Sequence, residues 1–143
     1  MSTTTRLSAF DSAVQTANRW IKELAEDLGD PQDRQRAYHA LRAVLHALRD
    51  RLTVEEATDL AAQLPMLIRG FYFEGWRPSG KPVPERTREQ FLAHIQAAFP
   101  DEIFTDAADV PRAVFKLLSR HITPGEIADV KANLPEPVRA LWV

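Results

Sequence analysis

The chain of 143 residues is long enough for one domain with a hydrophobic core and too short for two. Its 18 basic and 20 acidic residues nearly cancel, which argues against nucleic acid as a partner held by overall positive charge. The absence of cysteine excludes disulfides and thiolate metal sites. Because no apolar run reaches the length of a signal-peptide core or a membrane span, we expect a cytoplasmic protein that does not bind membranes.

Apolar residues recur at helical spacing in the first third of the chain. One stripe runs from Phe10 to Leu28 in steps of four and three, and Gly29 follows it as a stop. Asp30 and Pro31 have the pattern of a cap and a first-turn residue, which predicts a second helix. The apolar stripe of that helix consists of Ala37, Leu41, Val44, Leu48 and Leu52.

Two further helices are predicted before the middle of the chain. Thr53 and Glu56 have the spacing of a capping box, so a third helix begins there. Pro65 cannot donate a helical hydrogen bond and disfavours helical dihedrals at Leu64. The third helix should therefore end at this point, and a short fourth helix should follow with Pro65 in its first turn.

The segment 77–86, RPSGKPVPER, is too rich in proline and glycine for regular structure and is predicted to connect two halves. Thr87 and Gln90 form another capping box, which begins a fifth helix, and Pro100 should end that helix. Pro111 suits the first turn of the next helix.

The second half of the chain repeats the first. A shift of 70 positions aligns residues 42–72 with 112–142 without a gap and gives eleven identical pairs. These pairs include the cap residues Thr53/Thr123 and Glu56/Glu126, the breaks Leu64/Leu134 and Pro65/Pro135, and the arginines Arg69/Arg139. One copy alone would leave its apolar face bare, so two copies should pack face to face.

We therefore predict an all-α fold, with residues 1–143 in a single compact domain. Two pseudo-repeated units, residues 6–76 and 87–143, each contain a helical hairpin and a short Pro-kinked helix. The Pro-rich connector 77–86 joins them, an approximate two-fold axis should relate them, and about seven or eight helices are expected.

Several segments together are similar to a known family. They are RAVLHALRDRL, TVEEATDLAAQLP and MLIRGFYFEGWRP in the first copy, and FLAHIQAAFP and ITPGEIADVKANLP in the second. In this order they resemble the bacterial proteins of domain of unknown function family 2267, over most of the chain from Phe10 onward. The resemblance implies a small all-helical protein with no established activity, and it supplies no catalytic residues.

The aromatic segment 70–76, GFYFEGW, is the first candidate site. Its aromatic residues are too closely spaced to share one helix face, so some should lie near the surface, where Tyr and Trp often anchor a partner. The alternative is that they seal the seam between the two halves. The predicted partner-binding residues are Arg69, Phe71, Tyr72, Phe73 and Trp76.

The basic face of the second helix is the alternative site, for nucleic acid or another anion. It consists of Arg36, His39, Arg42, His46 and Arg49, at spacings of three and four. A solvated helix face with acidic neighbours would have the same pattern. The second copy weakens the functional interpretation, because only Arg112 and Lys116 occupy matching basic positions.

No catalytic or metal site is predicted. His39 and His46 are seven positions apart, about 10 Å along a helix, which is too far for one metal ion. Because no nucleophile motif or phosphate loop is present either, we expect no cofactor and no enzymatic activity.

Two acidic pairs and two arginines are predicted to have structural roles. The acidic pairs are Glu56 with Asp59, and Glu126 with Asp129. Negative charge near a helix start complements the dipole, and each glutamate should complete a capping box. Arg69 and Arg139 each follow a Leu-Pro pair, and each should bind a carboxylate such as Asp59 or Asp129 and so lock the kink.

The leading functional prediction is a non-enzymatic protein-interaction or scaffolding module. It would bind a protein partner, or a second copy of itself, through GFYFEGW. Binding of nucleic acid or an anion by the basic face of the second helix is the alternative.

Overall fold

Eight helices form the part of the chain that the structure describes. The computed structural model describes residues 7–99 and 106–142, and these ranges contain no strand. The helices are α1 (Ser8–Asp27), α2 (Arg34–Arg49), α3 (Val54–Ala62), α4 (Met66–Tyr72), α5 (Arg88–Gln96), α6 (Asp109–His121), α7 (Pro124–Asn133) and α8 (Glu136–Arg139). The all-α prediction is confirmed. Pro100, predicted to end the fifth helix, lies outside the described residues. Among the described residues, no helix combines the length and the apolarity needed to cross a lipid bilayer.

Helix α2 lies at the centre of the core and contacts α1, α4, α5 and α6. The predicted apolar stripe from Ala37 to Leu52 is fully buried. The predicted start of this helix is wrong by three residues, because Asp33 rather than Asp30 caps it and accepts a hydrogen bond from Arg36 N at 3.0 Å. The reason is a turn over residues 30–33, closed by a hydrogen bond from Asp33 N to Asp30 O at 3.1 Å, so the helix begins only after it.

Proline interrupts the chain in the same way in both halves. Pro65 is the N-cap of α4 and Pro135 the N-cap of α8, both with extended backbone. The predicted break after Leu64 is confirmed, but Pro65 precedes the first turn instead of lying in it. The Pro65 carbonyl accepts from Arg69 N at 2.7 Å and so starts the helical hydrogen bonds.

Three threonines cap helices, but only one of the three predicted capping boxes is complete. At α5, Thr87 Oγ1 accepts from Gln90 N, and the Gln90 side chain accepts from Thr87 N. At α3 and α7 the threonine accepts from the backbone of Glu56 or Glu126, but neither glutamate side chain returns to the cap. The predicted cap role of these two carboxylates is therefore wrong, because both side chains turn into an interface between helices.

The contacts between α3 and α7 follow the sequence repeat. Thr53 Oγ1 donates to Asn133 Oδ1 at 3.2 Å, and Gln63 Nε2 donates to Thr123 Oγ1 at 3.2 Å. The shift of 70 positions relates Thr53 to Thr123 and Gln63 to Asn133, so the residues of one contact are the repeat equivalents of the residues of the other. An approximate two-fold relation between the whole units stays a prediction.

A buried arginine holds the connector against the helices. The Arg51 side chain has no exposed surface, and its Nη2 donates to Glu85 Oε1 of the connector at 2.7 Å. Its Nη1 donates to Ala47 O at 2.9 Å and lies 3.0 Å from His94 Nδ1 on α5. The guanidinium also lies 5.3 Å from the centroid of the Phe91 ring. The connector is irregular, as predicted, but it is fixed to both halves.

Candidate functional site

The two sites predicted from the sequence lie against each other. Arg49, on the basic face of α2, is only 5% exposed. Its Nη1 donates to the carbonyl of Tyr72 and, at 2.8 Å, to that of Glu74. Its Nε is paired with Asp50 at 3.2 Å. The guanidinium that was predicted to bind an anion thus binds the end of α4 and the residues after it.

Two neighbours of Arg49 extend this contact. His46 Nε2 lies 2.6 Å from Phe71 O, and because a carbonyl only accepts, this nitrogen carries the proton. Burial lowers the pKa of His46, and the positive charges of Arg49 and Arg42 lower it further, against the hydrogen bond to Phe71, which raises it. Arg42 Nε is 3.2 Å from Glu74 Oε1 in a pair that is open to solvent.

The physical reason for this contact is the end of a helix. Among the described residues, the Tyr72 carbonyl at the end of α4 has no backbone donor, and the Phe71 carbonyl has one, Glu74 N at 3.3 Å, which lies beyond the helix. Basic side chains satisfy such carbonyls and complement the negative end of the helix dipole. The second copy does not repeat the arrangement, since Lys116 and Ser119 replace His46 and Arg49 and Leu141 replaces Phe71. The basic face and the aromatic segment therefore belong together as one structural unit.

Most of the aromatic side chains predicted to bind a partner face inward. Tyr72 is fully buried, its hydroxyl donates to Ala57 O at 2.7 Å, and burial raises its pKa. Phe73 packs edge-on against Tyr72 at a centroid distance of 5.1 Å and lies 5.4 Å from Trp76. Phe73 and Trp76 are both half-buried against the core. The contacts of these three residues lie within the first unit, so they pack into its core, and a role in sealing the seam between the two halves stays a prediction.

The remaining predicted residues are near the same surface. Arg36 is half-buried in the first turn of α2, and His39 is exposed, with its ring 5.2 Å from Tyr38 and 6.5 Å from Phe99. Phe71 differs from the other aromatic residues of the segment because it lines an open groove, where Tyr38 packs edge-on against it at 5.4 Å.

Arg69 locks the kink, but through different partners than predicted. Its Nε donates to Ala61 O at 2.9 Å and its Nη2 to Leu64 O at 2.8 Å. Arg139 repeats the second contact, with Nη2 3.1 Å from Leu134 O. The predicted carboxylate partners are wrong for these bonds, because the guanidinium donates to carbonyls at the end of the preceding helix; the Ala61 carbonyl also accepts from Leu64 N at 3.0 Å.

A groove between α1, α2 and α4 is the main feature that sequence reasoning missed. Its volume is about 540 Å³, and its apolar lining comprises Ala17, Ile21, Tyr38, Leu67, Ile68 and Phe71. Asn18, Arg34 and Gln35 form its polar edge. At the start of α4, Met66 is 58% exposed and Leu67 43% exposed.

The repeat contained a signal for this groove. Met66 and Leu67 correspond to Glu136 and Pro137 in the second copy, at the same place in a helix that also follows a proline cap. The fold therefore accepts polar or non-aliphatic residues at these positions. The exposed apolar pair of the first copy is not a requirement of the fold.

Comparison with known proteins gives a family and no activity. No curated protein matches the chain. Within the described ranges, no three histidine, aspartate or glutamate side chains are grouped in a way that could hold a metal ion. Residues 17–141 match a protein family described as Uncharacterized conserved protein (DUF2267). This match covers most of the 143 residues, and the chain therefore belongs to the DUF2267 family.

Proposed function

We propose that this protein is a non-enzymatic binding module whose groove between α1, α2 and α4 receives an amphipathic helix of a protein partner. The exposure of Met66 and Leu67 beside the groove is the observation that carries the proposal. Apolar side chains exposed together at the edge of a concave apolar surface are typical of interaction sites. The corresponding positions of the second copy hold Glu136 and Pro137, so the exposed apolar pair is particular to the first copy, which strengthens the argument.

The groove has the chemistry that a helix with one apolar face requires. Leu67 and Phe71 from α4 and Ala17 and Ile21 from α1 line the groove with accessible side chains, whereas Ile68 is fully buried there. A partner helix would place apolar residues at positions i, i+3, i+4 and i+7 on the four accessible side chains. Of the aromatic segment, Phe71 would contact the partner directly.

The polar edge specifies the partner further. Arg34 is exposed at the start of α2 and lines the groove. An acidic residue beside the apolar face of the partner helix would pair with it and fix the orientation of that helix. The partner we infer is therefore an amphipathic helix with an acidic flank.

The same groove supports binding of a second copy of the chain as the alternative occupant. The apolar stripe of α1 that contributes Ala17 and Ile21 continues to Phe10, which is 53% exposed. A helix face of this kind could enter the groove of another copy. Measurement of the mass in solution separates this case from a foreign partner.

The test compares two surface variants that each introduce one negative charge. Leu67→Glu alters the edge of the groove, and Val54→Glu alters an apolar residue of similar exposure on α3, outside the groove. Proteins captured from the host by the wild-type chain are purified, and their affinity is measured by titration calorimetry. Sedimentation equilibrium measures self-association.

We expect the groove variant to lose at least about tenfold in affinity, since at least ~1.4 kcal/mol of apolar burial is lost. Val54→Glu should bind like the wild type. Charge reversal by Arg34→Glu should weaken binding and be rescued by a basic residue in the partner's acidic flank. Equal affinity of the groove variant and the control for every partner, and for self-association, would refute the proposal.

A further inference from the structure

Helices α3 and α7 bury two carboxyl groups against each other. Glu56 is 8% exposed and Glu126 is 9% exposed, and the two carboxyl groups are close enough to interact. The backbone N–H of each glutamate donates to the cap threonine, at 3.1 Å in α3 and 3.3 Å in α7. Because neither side chain returns to its cap, both are available for this contact.

Other side chains take the polar positions around this pair. Thr123 N donates to Gln63 Oε1 at 3.1 Å, in place of the glutamate that a capping box would use. Asn133 Nδ2 donates to Glu56 Oε1 at 3.4 Å. The Oε2 atoms of Glu56 and Glu126 are buried and have no separate donor within the described residues. Ionised carboxylates only accept, so a proton on one of the two acids supplies the missing donor.

Within the described ranges, no positive charge is shown acting on Glu56 in place of this proton. Asp59 on α3 and Asp129 on α7 act on Glu56, Tyr72 on α4 is influenced by both glutamates, and the nearest arginines of the adjoining helices are Arg69 on α4 and Arg49 on α2. The two aspartates are acidic and oppose a second negative charge. The Tyr72 hydroxyl donates to Ala57 O, and both arginines donate to backbone carbonyls. Two ionised glutamates would therefore repel each other at a buried site.

The raised pKa of Glu56 follows from this geometry. Burial is the largest cause that raises its pKa, from 4.5 to about 8, and the hydrogen bond and negative charge of Glu126 raise it further. The charges of Asp59 and Asp129 act in the same direction.

We propose that Glu56 and Glu126 share one proton that holds α3 against α7, and that loss of this proton loosens the contact between the two halves. The shift of 70 positions relates Glu56 to Glu126, so the contact joins two equivalent residues of the repeat. A charged residue at such a position therefore lies next to a residue of the same charge. This inference is independent of the groove and of its occupant.

The direction of the pH dependence follows from the proton count. The unfolded chain releases the Glu56 proton near pH 4.5, and the folded chain keeps it up to about pH 8. Over this window the folded state binds more protons than the unfolded state, so its stability falls as pH rises. Above about pH 8 the stabilisation by the shared proton is lost, and below about pH 4.5 it is fully present.

The test uses variants that keep the shape and remove the charge. Glu56→Gln and Glu126→Gln are compared with Glu55→Gln, which alters an exposed carboxylate of the same helix. Urea unfolding is followed between pH 6.5 and 9, and carbon-detected NMR measures the titration of the glutamate carboxyl groups in the wild type. The NMR measurement needs no variant and remains decisive if a substitution prevents folding.

We expect the unfolding equilibrium constant of the wild type to rise by about 30-fold between pH 6.5 and 9, and that of Glu55→Gln to follow it. With either Glu56→Gln or Glu126→Gln the rise should be less than about threefold. Wild-type carboxyls that all titrate below pH 6 would overturn the proposal, and so would a Glu56→Gln profile that matches the Glu55→Gln profile. Stabilisation by Ca²⁺ at pH 9 that disappears in Glu56→Gln would also overturn it, by assigning the pair to a cation.

Discussion

Replacement of Arg49 by methionine tests the contact between α2 and the aromatic segment. The substitution keeps an apolar stem of similar length and removes every donor. The Tyr72 carbonyl belongs to a fully buried residue, and loss of a hydrogen bond from a charged group there costs about 1.5–3 kcal/mol. Glu74 is exposed, so water can replace the bond to its carbonyl at a cost of about 1 kcal/mol or less. We expect a loss of about 3 kcal/mol in the free energy of unfolding.

The assay is urea unfolding monitored by far-UV circular dichroism, with the melting temperature as a second measurement. For a chain of this size the expected loss corresponds to a decrease of about 10 °C in Tm. The matched control is Arg42→Met, on the same helix face, which removes an ion pair with 38% and 53% exposed side chains. Such a pair contributes at most about 1 kcal/mol. If Arg49→Met costs no more than Arg42→Met, the carbonyls are hydrated and the argument for a buried contact fails.

Two further predictions concern buried polar groups. Tyr72→Phe should lower the free energy of unfolding by about 1 kcal/mol at every pH from 6 to 9, because it removes only the hydrogen bond to Ala57 O; a loss that varies with pH in urea unfolding would contradict this. Burial lowers the pKa of His46 and of His94, so the unfolded chain takes up protons first and stability should fall as pH decreases below about 6.5. Thermal unfolding of Glu56→Gln between pH 7 and 5 isolates this effect from the opposite trend of the acid pair, and a flat profile would exclude it.

The helices could be predicted from the sequence because their signals are local. The threonine caps at Thr53, Thr87 and Thr123 and the break before Pro65 depend on residues within one turn. The buried stripe of α2 depends only on helical periodicity. These features follow from the chain alone, whatever packs against it.

The site could not be predicted because its partners are distant in the sequence. Arg49 meets carbonyls more than twenty positions later, and only the docking of α4 on α2 brings them together. Glu56 leaves its cap for a partner in the other half, which a local motif cannot reveal. The groove combines three helices and so has no single signature, although the difference between Met66 and Glu136 in the repeat pointed to it.

The connector held by Arg51 determines where this protein accepts engineering. Lengthening the middle of a segment whose two ends are already fixed costs little in loop-closure free energy. In residues 77–80 the backbone turns through Gly80 at a φ of 75° and every residue is exposed, whereas Val83 N donates to Asp50 O at 2.8 Å. An epitope, a fluorophore or a small inserted domain therefore belongs in the 77–80 turn, on the near side of the Arg51–Glu85 anchor, where it leaves the arrangement of the helices unchanged.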